Sequence, residues 1–138
     1  MRRVIVVITD KMRDMYEKYG DYVCINYIPS LIKRRSPAGW HFTIGVFTGQ
    51  DSNLQDLLFG ICFLSEDLMI YHKKSLQYFF EGMEERVPLT LITSNEKAIC
   101  QAIDLLQSEN PKYNFKHHIG WFYVVEHLKE LLVGQLDQ

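Results

Sequence analysis

The chain has 138 residues, 47% of them hydrophobic and 23% charged, with a formal net charge of -2. That length and apolar content allow one domain with a sizeable core and leave no room for two ordinary ones. The near-neutral balance gives no broad basic field of the kind that holds nucleic acid by charge, so any such contact must be local.

In chain order, Val4 to Ile8 is β-branched throughout and reads as a strand. The basic pair before it heads too few apolar residues to cross a membrane, and no small-residue cleavage site follows, so the chain reads as soluble and not secreted. Thr9 or Asp10 caps a helix from about Lys11 to Tyr19, with Met12, Met15, Tyr16 and Tyr19 on one packing face. Gly20-Asp21 ends it, and Tyr22 to Asn26 reads as a buried central strand with Asn26 at its exit. From Ile28 to Gly39 two prolines and the run Lys33-Arg34-Arg35 interrupt the order; these three cations read as a solvated loop or as a contact for phosphate or an acidic partner. Trp40 to Thr48 and Leu57 to Leu64 are the next strands, joined by a turn at Gly49 to Asn53, and the three strands form an antiparallel meander. Helical period returns from Met69 to Met83, where Ile70, Leu76, Phe79, Phe80 and Met83 line one face. A strand at Leu89 to Thr93, a helix at Asn95 to Gln107 capped by Ser94, a strand at Phe115 to Ile119 and an amphipathic helix at Trp121 to Val133 complete a single domain. Its first twenty residues lead into the core.

Cys24, Cys62 and Cys100 lie in apolar surroundings without a C-x-x-C pair and read as reduced core thiols, with neither a disulfide nor a zinc site. The chain has no G-x-x-x-x-G-K-[ST] loop, no G-x-G-x-x-G, no H-E-x-x-H and no deaminase zinc signature. His117 and His118 are adjacent, so on a regular strand they point to opposite faces and cannot chelate one ion. Tyr78-Phe79-Phe80 and Trp121-Phe122-Tyr123 read as core before interface.

The element order is that of the ribonuclease-H-like fold. Within it, Thr9 to Leu132 resembles the core of Mutator-like-element (MULE) transposases. The matching pieces are Met15 to Val23, Phe42 to Leu64 with Ser65-Glu66-Asp67 after it, Leu91 to Ile99, and His117 to Tyr123. The resemblance implies an α/β domain with a mixed sheet, a three-strand antiparallel meander plus parallel strands, flanked by helices. It also implies a nuclear setting, with the cytoplasm as the other expectation.

At the family's chemical positions this chain departs from the pattern. The first-strand Asp falls on Asn26, with Ile28 and Pro29 after it; the second Asp falls on Ser94; a Cys and a His of the family fall on Gly120 and Tyr123. Only Glu126 and Glu130 stand in for a third carboxylate. Two hard cations need several anionic oxygen ligands, which an amide and a hydroxyl do not supply. The expectation is therefore a non-catalytic, transposase-derived domain with no cofactor or metal. It would act as a structural or interaction subunit of a larger nuclear assembly, binding other protein subunits and no membrane. The alternatives are a metal-dependent transposase or nuclease with a rearranged acidic site such as Asp21, Glu66 and Asp67, or a nucleic-acid-binding module. The candidate partner surfaces are the first strand, with Val4, Val6 and Ile8, and the last helix, with Trp121, Phe122 and Val125.

Overall fold

The computed structural model describes residues 3–29 and 42–120, together with Lys129, Leu132 and Val133. Four successive β-branched residues hold β1 (Val4–Val7) extended. Thr9 then starts α1 (Asp10–Tyr19): its hydroxyl accepts from the Met12 N–H at 3.2 Å, while its own N–H reaches the Met12 sulfur at 3.4 Å. This is a capping box with a thioether in the place of the usual carboxylate or amide.

Three strands follow as an antiparallel meander, β2 (Tyr22–Pro29), β3 (Thr43–Gln50) and β4 (Asp56–Leu64). Then come α2 (Met69–Gly82), β5 (Thr90–Thr93), α3 (Lys97–Glu109) and β6 (Lys116–Ile119). The sheet has the order β1-β4-β3-β2-β5-β6. The strands from β1 across to β2 pair antiparallel, whereas β2, β5 and β6 run parallel. The fold is thus α/β, with β2 interior to a six-stranded mixed sheet. No described helix is long and apolar enough to cross a membrane.

One face of the sheet carries the core. Val23, Ile25, Phe47, Phe59, Cys62, Leu64 and Leu91 meet Tyr16 of α1, Leu76, Phe79 and Phe80 of α2, and Ile99, Ile103 and Leu106 of α3. The Phe79 ring stacks on Phe47, with centroids 4.0 Å apart, and takes Tyr16 edge-on. Val4, Val6 and Ile8 pack against the same cluster from the edge strand. The other face carries two cross-strand rows in direct register, Ile5–Phe63–Ile44–Ile28 and Val7–Ile61–Val46–Asn26.

Three boundaries and one helix face differ from the sequence reading in ways that bear on the site. β2 runs on to Pro29, so Asn26 lies within the strand rather than at its exit. Gly49 and Gln50 remain in β3, because Asp51 sets the turn later: its carboxylate accepts from the N–H groups of Asn53 and Gln55 at 2.8 and 3.0 Å. Ser94 is not the cap of α3; the backbone stays extended to Glu96, and no side chain caps the helix. In α2 the buried side is centred on His72, Ser75, Leu76 and Phe79, and Ile70 is exposed. A pattern that counts only apolar residues turns this helix away from its two buried polar ones. The expected last helix lies outside the described residues apart from Lys129, Leu132 and Val133.

Candidate functional site

In sheets with parallel strands, ligands bind beyond the carboxyl ends of those strands. Here that end holds the last residues of β2 and β5 and the start of α2. The parallel ladder pairs Cys24 with Ile92; two residues further on come Asn26, still within β2, and Ser94, just past the end of β5. The two positions to which the resemblance points thus stand at equivalent places, each two residues past the last pair of that ladder. Asn26, however, has the parity of Cys24 and lies on the sheet face away from the core. Among the described residues its side chain makes one contact, a long one to the Cys24 sulfur at 3.9 Å.

One residue on, Tyr27 turns to the core face. Its hydroxyl lies 3.1 Å from that of Ser75, and its ring meets the His72 ring edge-on with centroids 4.5 Å apart. Gly45 lies opposite Tyr27 in the ladder, where a Cβ would overlap the Cys62 sulfur and sit 2.7 Å from the Tyr27 ring. Burial drives the Tyr27 hydroxyl well above its ordinary range, so it remains a neutral phenol.

His72 and Ser75 are fully buried. The His72 Nε2 is paired with the Asp67 carboxylate, which puts a proton on Nε2, and its buried Nδ1 has no hydrogen-bond partner among the described residues. The Ser75 hydroxyl donates to the His72 carbonyl oxygen at 2.8 Å. Asp67, His72 and Ser75 thus have the composition of a hydrolytic triad without its wiring, because the serine proton is committed to backbone and no base faces the hydroxyl. Burial likewise pushes the Cys62 thiol up to about 12 and raises Cys24 and Cys100, so none is an activated thiolate.

Glu96 completes the cluster. Partial burial first, and then the negative charge of Asp67, raise its carboxyl, while His72 opposes them. At the end of β5, the buried Thr93 hydroxyl donates to the Ser94 carbonyl oxygen at 2.9 Å and so accepts from His117 Nε2 at 2.7 Å. Burial lowers the His117 pKa, with Asp104 opposing and His118 adding to it. His118 is exposed on the opposite side of β6, as adjacent strand residues must be.

The rearranged acidic set is not brought together. Asp21 precedes β2 and binds the starts of β5 through its carbonyl oxygen, whereas Glu66 and Asp67 follow the end of β4, which lies beside the opposite end of β2. Among the described residues, no group of three His, Cys, Asp or Glu is arranged to hold a metal ion. A groove at the amino end of β2, lined by Tyr22, Cys24, Thr48, Asp51 and Leu54, contains none of the expected site residues. Gly120 donates its N–H to the Thr93 carbonyl and continues the β5–β6 ladder. Lys33, Arg34 and Arg35, and Trp121, Phe122, Tyr123, Val125, Glu126 and Glu130, lie outside the described residues.

The expected partner strand needs one correction. Val4, Val6 and Ile8 point inward against the core. The outward side chains of β1 are Ile5 and Val7, 47% and 43% exposed, and among the described residues the strand pairs only with β4. Sequence reasoning also passed over Tyr27, His72, Ser75 and Glu96; the signal of the first three was polar and phenolic residues at core-facing positions, and the exposed Glu96 carried none. No family model matches the chain, and neither a curated protein nor a solved structure does.

Proposed function

We propose that this chain is a ribonuclease-H-like domain of transposase descent that has lost metal-ion catalysis and serves as a protein-interaction subunit of a larger, nuclear assembly. The antiparallel meander followed by two strands parallel to its first, with α2 and α3 as connections, supports the fold assignment. One observation carries the functional reading. Where the fold's chemistry needs clustered carboxylates, the chain presents Asn26 within β2 and Ser94 just past β5, while Tyr27 fills the core side against His72 and Ser75. Asp67 is already committed to His72.

What remains for function is surface, and among the described residues β1 is an edge strand of the sheet with Ile5 and Val7 exposed. An edge strand with free N–H and C=O groups and exposed apolar side chains is a template for a further strand. Val7→Lys tests this, because the side chain is outward and a lysine on an edge blocks strand addition without entering the core. Chains that co-purify with the wild type at native salt should be lost with Val7→Lys, while the melting temperature hardly moves. Undiminished recovery by a folded Val7→Lys chain would dispose of the interface.

A further inference from the structure

We propose that the strand added at the β1 edge is β1 of a second copy of this chain, paired antiparallel about a two-fold axis at Val6, so that two sheets continue as one. This rests on the reading of β1 as an interface and names its occupant. The two edges of the sheet differ. The far edge, β6, carries Lys116, His117 and His118, a charge and two imidazoles that blunt strand addition. β1 has four β-branched residues, no charge between Arg3 and Asp10, and an unbroken ladder with β4. Such residues are good cross-strand neighbours for one another.

The backbone sets the register. The Ser65 N–H donates to the Arg3 carbonyl at 3.0 Å, so Arg3, Ile5 and Val7 turn their polar groups toward β4. Antiparallel ladders alternate, which leaves the N–H and C=O groups of Val4 and Val6 directed to the open edge. An axis at Val6 pairs Val6 with Val6 and Val4 with Ile8 of the second copy, joining those outward groups. The same register sets Ile5 opposite Val7 of the second copy at a position without hydrogen bonds, where side chains approach most closely. The apolar rows that end on Ile5 and Val7 then continue across the axis.

The ends of the strand favour this direction. Arg3 comes across from Thr9 of the second copy, next to Asp10, whose carboxylate is fully exposed and engages Arg13 through Oδ1. Parallel pairing would instead set Arg3 against Arg3. A two-fold pairing also closes itself, since each copy uses its β1 edge and no third strand can be added there.

Light scattering on the eluting full chain tests the pairing. The wild type should show twice the chain mass of 16.3 kDa. Ile5→Lys/Val7→Lys and Ile5→Glu/Val7→Glu place like charges opposite each other, so each alone should show a single chain mass. Their equimolar mixture should return to the doubled mass, because opposite charges then face across the axis. Should the charged variants unfold, Ile5→Cys/Val7→Cys decides, with an interchain disulfide expected on mild oxidation and its absence counting against the pairing. A wild type at single mass at every concentration, or a mixture that stays at single mass, overturns the second copy as occupant. If the wild type is monomeric yet Val7→Lys still loses a co-purifying chain, only the second copy falls and the edge interface stands. If Val7→Lys loses nothing, the interface falls too.

Discussion

Phe79→Ala is expected to lower the unfolding free energy by about 3–5 kcal/mol. The ring is fully buried, stacks on Phe47, and meets Tyr16 and Phe80 edge-on, so it joins α2 to α1 and to the middle of the sheet. The loss combines the transfer of a large apolar side chain with a cavity that these rings, held by their own strands and helices, fill only in part. Urea unfolding should show the midpoint falling with the slope unchanged. A loss under about 1 kcal/mol would mean that α2 is not seated on the sheet as described.

Asp67→Ala should be the most costly change in the polar cluster, at about 1–3 kcal/mol. It removes the partner of His72 Nε2 in a ring whose Nδ1 has no partner among the described residues. The loss should fall toward the lower end, because the Asp67 side chain is 56% exposed and water can follow it. Asp67→Ala/His72→Leu should cost less than Asp67→Ala alone, since no orphaned polar ring is then left in the core. Unfolding measurements on the single and double variants provide the comparison. A double variant much less stable than Asp67→Ala would show that His72 contributes packing that leucine cannot reproduce.

Much of the fold was legible because its signals are local. The run Val4 to Val7 could hardly be anything but a strand, Thr9 declares its helix through its own hydroxyl, and Phe79 and Phe80 fall at helical spacing with Leu76. The parts that escaped were decided by tertiary contacts. A serine before a helix is a good cap on average, but the backbone stays extended past Ser94, whose carbonyl takes the Thr93 hydroxyl, and α3 begins only at Lys97. The buried side of α2 passes through His72 and Ser75, which no hydrophobic count assigns to a core.

At the site the gap was a single residue. Side chains alternate along a strand, so attention fixed on Asn26 looked at the outer face of β2 while Tyr27, next to it, faces the cluster. The same alternation moved the outward surface of β1 from Val4 and Val6 to Ile5 and Val7. The pairing of Asp67 with His72, two elements away from Tyr27 in sequence, has no local sequence signature at all.

The proposed loss of metal-ion chemistry is tested most directly by calorimetric titration of the chain with manganese, followed by incubation with supercoiled and branched DNA in the same buffer. With Asn26 and Ser94 in place of carboxylates and Asp67 held by His72, no micromolar site and no cleavage above a metal-free control are expected. A micromolar manganese site that disappears in Asp67→Asn or Glu96→Gln, together with cleavage that disappears with it, would contradict the account.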